Sequence, residues 1–148
     1  RPSSRWTILR LAGIYGPGRV PRAADVIAGR PIVAAPEGNL NLIHVDDAAV
    51  AVDASWRGKQ RLYVIADGCP VIRSEFYGEI ARQCSVPAPT FDPSPDPSPF
   101  AARVGMRSDS NKRVWNRRMR RDLLPRLQFP TYREGLSHVL AVNGNRGR

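Results

Sequence analysis

Apolar and polar positions along the chain follow two periods that alternate. Trp6 to Ile14 reads Trp-Thr-Ile-Leu-Arg-Leu-Ala-Gly-Ile, an almost continuous apolar run that predicts a parallel strand covered on both sheet faces. Arg22 to Ala28 predicts a short helix, entered through Pro21 and stopped by Gly29. Ile32 to Ala34 and Leu42 to Val45 read as short strands around the turn Pro36-Glu-Gly-Asn39. The Asp46 carboxylate can accept orphan backbone N–H groups, so it predicts the cap of a helix running to about Trp56. Leu62 to Ala66 is the next strand and Ser74 to Cys84 the next helix. Farther on, Trp115, Met119 and Leu123 recur every fourth residue as the apolar stripe of a docked helix, leaving Arg117, Arg118, Arg120 and Arg121 largely on its solvated faces. Thr131 and Glu134 have capping-box spacing and start a last helix that reaches about Val142. Helices alternating with strands place the chain in the α/β class.

Two stretches interrupt this pattern. Residues 87–99, Pro-Ala-Pro-Thr-Phe-Asp-Pro-Ser-Pro-Asp-Pro-Ser-Pro, form a loop, because each proline removes a ladder donor. The first apolar run passes directly into Tyr15-Gly-Pro-Gly-Arg19, the manner in which a parallel strand delivers its C-terminal end to a ligand crevice. Gly13, Gly16 and Gly18 imitate a dinucleotide-binding glycine turn, but Arg19 stands where the last glycine would fall.

The remaining candidate chemistry resolves into quieter roles. His44 with Asp46 and Asp47 could serve as a general base or metal set, yet a strand end meeting a helix start accounts for them through capping and a hydrogen-bonded histidine. Cys69 and Cys84 form no close metal-type pair, so they are expected as free thiols and no metal site is expected. Without a Gly-x-Ser-x-Gly elbow, hydrolase chemistry has no nucleophile to build on.

Composition sets the scale. At 148 residues and 42% hydrophobic content, the chain supports one modest lobe. It starts at Arg1 without an apolar leader or a bilayer-length apolar run, so a truncated cytoplasmic chain with no membrane partner is expected. The net charge of +10 raises an alternative, a basic non-enzymatic module binding phosphate-rich partners such as nucleic acid. The excess at 112–121 fits the solvated side of a docked helix better, so no nucleic-acid partner is expected.

The strand and turn Arg10 to Arg19 resemble Arg-x-x-x-x-Tyr-Gly-Pro-Gly of the extended short-chain dehydrogenase/reductase family, the NAD-dependent epimerases and dehydratases. The resemblance continues in order through Asn41-Leu-Ile-His-Val-Asp-Asp47, Leu62-Tyr-Val-Ile-Ala-Asp67, Glu75-Phe-Tyr-Gly-Glu-Ile-Ala81, Asn111-Lys-Arg-Val-Trp-Asn116 and Phe129-Pro-Thr-Tyr-Arg-Glu-Gly-Leu136. It implies the C-terminal, substrate-side half of such an enzyme over residues 1–148, a partial Rossmann-like parallel sheet with its substrate subdomain. The family's Tyr-x-x-x-Lys pair is absent, since Tyr15, Tyr63, Tyr77 and Tyr132 are followed four places on by Arg19, Asp67, Ala81 and Leu136. No catalytic residue is therefore expected here, and no activity from the chain alone.

Carried onto this sequence, the resemblance implies NAD or NADP as cofactor of the intact enzyme and a small-molecule substrate. It puts Ala12, Gly13 and Ile14 beside the nicotinamide, with Tyr15 and Pro17 shaping that wall, and turns Arg19 and Asn41 toward the substrate. Many relatives acting on nucleotide-sugars carry asparagine at the Gly13 position and arginine at the Leu40 position, where both serve the substrate diphosphate. A third departure is Leu42, where close relatives often carry arginine. The loss of the first two argues against a nucleotide-diphospho-sugar substrate. A first strand without its neighbour also leaves an exposed sheet edge, from which self-association is expected.

Overall fold

The computed structural model describes residues 6–59, 61–92 and 111–145, with side chains as far as residue 141. The second half of the proline-rich segment and the basic tail at 146–148 lie outside the described residues.

The single strand expected over Trp6 to Ile14 is divided at Ala12 into β1 (Ile8–Leu11) and β2 (Gly13–Tyr15). The break marks an exchange of neighbours. β1 runs parallel to β6 (Leu62–Ile65), and Ala12 N donates to Ile65 O at 2.9 Å; Gly13 N then donates to Asn41 O at 2.9 Å, and β2 runs parallel to β5 (Leu42–His44). Cover on both faces of the first strand is not found among the described residues. Among the described residues β1 pairs with β6 alone, and Ile8 and Leu11 are 49% and 43% exposed.

Two smaller pairs complete the strands. β3 (Ile32–Val33) lies parallel to β8 (Phe91–Asp92), and β4 (Asn39–Leu40) lies antiparallel to β7 (Val71–Ile72). The β8 pairing falls inside the stretch read as ladder-free. Thr90 O accepts from Ile32 N at 2.8 Å, because the residues between the prolines keep their own backbone groups.

Five helices are described: α1 (Ala23–Ile27), α2 (Val45–Ser55), α3 (Arg73–Cys84), α4 (Arg117–Asp122) and α5 (Tyr132–Asn145). The expected α/β class holds, with short parallel pairs crossed by helices. Two apolar clusters hold the layers together. One gathers Tyr15, Phe76, Ile80, Tyr132 and Leu136 between β2, α3 and α5; the other gathers Ile43, Ala51, Tyr63, Ile65 and Met119 between α2, β6 and α4.

α4 is shorter than the fourfold spacing suggests. Met119 and Leu123 are buried as expected, but Trp115 precedes the helix, is 71% exposed and stacks under the Arg117 guanidinium at 4.6 Å. The basic side is partly tied down, since Arg120 donates to Pro125 O and Arg121 pairs with Asp122. Thr131 N and Oγ1 both donate to Glu134 Oε2, at 2.8 and 2.9 Å, at the start of α5. No described helix is long and apolar enough to cross a membrane.

Candidate functional site

The turn after β2 is closed by reciprocal backbone bonds, Gly16 N to Arg19 O at 3.0 Å and Arg19 N to Gly16 O at 2.9 Å. Pro17 presets the first corner, and Gly18 at φ 76° takes the left-handed second corner that only glycine occupies without strain. Pro17 and Arg19 are left exposed beyond the strand end, and Arg19 has no ion-pair partner among the described residues.

Beside the division between β1 and β2 lies an open cleft of about 440 Å³, lined among others by Arg10, Ala12, Gly13, Asn41, Lys112 and Val114. Its outer wall is the segment 111–116, strapped on by asparagines. Asn39 bonds to Asn111; Asn41 Nδ2 donates to Lys112 O at 2.8 Å while its Oδ1 accepts from Val114 N at 2.9 Å; Asn116 Nδ2 donates to Ala66 O at 2.7 Å. Asn41 was expected to face the substrate. Both ends of its amide are engaged in holding the strap, so its place in the cleft is that of a wall fastener.

The other expected site residues separate. Ala12 and Gly13 reach the cleft; Ile14 packs against the second apolar cluster; Tyr15 is 1% exposed in the first cluster, its ring edge-on to His44 at 5.3 Å. The position of Tyr15 corrects the expectation of a ligand-facing phenol at the strand end. Because side chains alternate along a strand, Tyr15 points into the core beneath α5. Burial first, then the Asp67 and Asp47 carboxylates, hold its phenol well above the ordinary tyrosine range, so it carries its proton throughout neutral pH.

Asp46 does not cap α2. His44 does, its Nδ1 accepting from Asp46 N at 3.2 Å. Burial lowers the His44 pKa, with Asp46 acting in the opposite sense, so the ring is held neutral. One ring nitrogen each from His44 and His138 and one oxygen of Asp46 lie within 4.8 Å of one another. A neutral ring whose Nδ1 accepts a hydrogen bond carries its proton on Nε2, so neither nitrogen offers a free lone pair to a metal while the cap stands. Asp47 is a structural tie, its two oxygens accepting from Gln128 N at 2.8 Å and Phe129 N at 2.9 Å.

Asp67 escaped the sequence reading. It follows β6, is 4% exposed, and accepts from Cys69 N at 2.9 Å through Oδ1, while Oδ2 has no hydrogen-bond partner among the described residues. Burial pushes its carboxyl up to about 7 against the lowering effect of the Cys69 and Gly68 N–H groups. The available signal was an acidic residue ending an apolar strand just before a glycine.

No family model matches the chain. The Escherichia coli (strain K12) protein YeeZ is 33% identical over 99 residues, 64% of this chain and 34% of YeeZ. A conserved protein of unknown function from Silicibacter pomeroyi superposes with TM-score 0.76 at 32% identity, covering 92% of this chain and 49% of that one. UDP-glucose 4-epimerase from Thermotoga maritima, solved with UDP-glucose, gives TM-score 0.72 at 17% identity, covering 96% and 47%. dTDP-glucose 4,6-dehydratase from Bacillus anthracis, solved with NAD, gives 0.72 at 14%, covering 94% and 44%. The chain thus spans about a third of YeeZ and about half of each of these structures. In fold, it is similar to the extended short-chain dehydrogenases/reductases, the NAD-dependent epimerases and dehydratases, over about half of their length.

Proposed function

We propose that this chain is the substrate-side portion of an NAD(P)-dependent oxidoreductase or epimerase acting on a small molecule. The observation that carries the reading is the open cleft that Ala12 and Gly13 line at the division between β1 and β2, upstream of the Gly16–Arg19 turn in which the parallel strand β2 ends. Ala12 and Gly13 form the wall expected beside a nicotinamide. Ile14 and Tyr15 anchor that wall from the two apolar clusters, and Pro17 stiffens the turn that carries Arg19 toward the substrate.

When bound, the nicotinamide would accept or return a hydride. The chain's own residues fit only the nicotinamide end, because they include neither a Gly-x-x-Gly-x-x-Gly turn for the pyrophosphate nor a Tyr-x-x-x-Lys pair for the proton. Tyr15 cannot substitute for that pair, being buried and held protonated. The proposal therefore assigns positioning and shape to this lobe, and proton transfer to residues supplied from elsewhere.

Isothermal calorimetry of the chain tests the reading. A wall without a phosphate anchor gives little free energy once the cost of association is subtracted, so affinity for NAD or NADP is expected to be on the order of millimolar or weaker. Micromolar binding by this chain alone overturns the assignment.

A further inference from the structure

We propose that the cleft between Arg10 and Lys112 receives an anionic group of the substrate, a carboxylate or a phosphate. The inference rests on the reading above and adds the substrate's chemical class. A volume of about 440 Å³ is on the scale of a small-molecule site. Apart from the engaged Asn41 amide, its other described walls are aliphatic or backbone, supplied by Leu11, Ala12, Gly13, Val64 and Val114, and no aspartate or glutamate lines it among the described residues.

Among the described residues both cations of the cleft lack a carboxylate partner, a state they share with Arg19, Arg113 and Arg118, and what marks this place is that two such cations line one concavity. Arg22, Arg30, Arg57, Arg82 and Arg121 each have a carboxylate partner within 4 Å. Arg10 and Lys112 have none among the described residues, and neither side chain makes a hydrogen bond there. Arg10 interrupts an apolar strand between Leu9 and Leu11, a position where exposure of a charge needs a reason. Lys112 is held at the cleft because its carbonyl is pinned by Asn41 Nδ2.

With the Asn41 amide engaged at both ends, charged recognition in the cleft falls to these two residues. A guanidinium fork and an ammonium across a concave, mostly apolar wall focus positive potential and match a planar or tetrahedral oxyanion.

The test is a ¹H–¹⁵N NMR titration of the full chain with inorganic phosphate and, separately, with acetate, at constant ionic strength. Amide shifts are expected to concentrate at Ala12, Gly13 and Val114. Arg10→Gln and Lys112→Gln should each weaken binding roughly tenfold. Arg57→Gln, in an exposed pair with Asp53, should leave it unchanged. Both substituted side chains in the cleft are exposed, so spectra with native dispersion are expected.

A response to phosphate alone identifies a phosphorylated substrate, and a response to acetate alone a carboxylic acid. Shifts centred on Arg117 to Arg121, binding that survives Arg10→Gln/Lys112→Gln, or no response to either anion overturns the proposal. Such a failure leaves the cofactor calorimetry untouched and so does not decide the broader reading.

Discussion

Gly135 and Tyr15 meet where α5 crosses β2 at closer range than any side chain on the helix allows. A Cβ on Gly135 would fall 2.6 Å from Tyr15 Cζ and 2.7 Å from Cε2, and closer still to the hydroxyl. The helix sits on the strand through a missing methyl group, and the buried phenol fills the space that this leaves.

Gly135→Ala is therefore expected to destabilise the chain. Overpacking of a rigid ring costs about 1–3 kcal/mol, and the upper part of that range applies because the obstructing atoms are ring carbons. Better helix propensity returns about 1 kcal/mol, leaving a net loss of about 2 kcal/mol in urea unfolding. Tyr15→Phe alone should be neutral or stabilising, since the hydroxyl has no hydrogen-bond partner among the described residues. Combined with Gly135→Ala it should recover only part of the loss, because the ring carbons remain. Strict additivity of the two changes would count against the contact.

Neighbouring aspartates should differ sharply. Asp47→Ala removes an acceptor shared by two backbone N–H groups at Gln128 and Phe129, one of those bonds fully buried. Hydrogen bonds to a charged acceptor contribute about 1.5–3 kcal/mol each, so a loss of at least about 2 kcal/mol is expected. The Asp46 side chain is half exposed, and Asp46→Ala should cost well under about 1 kcal/mol. Equal effects in chemical denaturation would refute the tie assigned to Asp47.

These contacts show why parts of the molecule were legible in the sequence and parts were not. The helices at 73–84 and 132–145 were found because apolar spacing and a capping box are local signals. The strand over Trp6 to Ile14 was found but not its division, since changing partners at Ala12 depends on where Ile65 and Asn41 arrive. Ala12 and Gly13 line the cleft. Asn41 and Tyr15 were given ligand-facing roles that their partners override. Which face a strand-end side chain takes, and whether an amide is already engaged, are set by residues 70 or more positions away in the case of Asn41. Asp67 went unnoticed because burial, not sequence context, makes it unusual.

The pH profile of stability should carry the mark of Asp67. Its folded-state pKa of about 7 lies above the ordinary value of 3.8, so between those limits the native state keeps a proton that the unfolded chain has released. Stability then declines as pH rises through this window, by an amount on the order of 4 kcal/mol at most. His44 acts in the opposite sense. Its lowered pKa means that the unfolded chain gains a proton first as pH falls below 6.5, which removes stability on the acid side. Asp67→Asn keeps an acceptor for Cys69 N and abolishes the charge, so its urea midpoint should exceed that of the wild type at pH 8 and approach it near pH 4. An unchanged difference between the two proteins at both pH values would rule out a titrating Asp67.

Self-association is the expected behaviour of the chain in isolation, and it follows from β1. The strand pairs with β6 on one side only among the described residues, while Ile8 and Leu11 stand roughly half exposed on its two faces. Val45 and Val52 on α2 and Trp56 at its C-cap follow one another at spacings of seven and four residues and are all exposed, so an apolar stripe lies on the outside of that helix and its end. The open edge of a parallel strand offers a ladder to any partner, and apolar side chains around it favour the dry contact that a second strand supplies. Ile8→Lys places a charge on the edge strand without touching either buried cluster, so it should lower the association while preserving the fold. Sedimentation equilibrium over a wide concentration range reads this directly. A wild-type chain that remains monomeric at high concentration, or an Ile8→Lys variant that associates as strongly, would show that the edge is protected in a way the pairing of β1 does not account for.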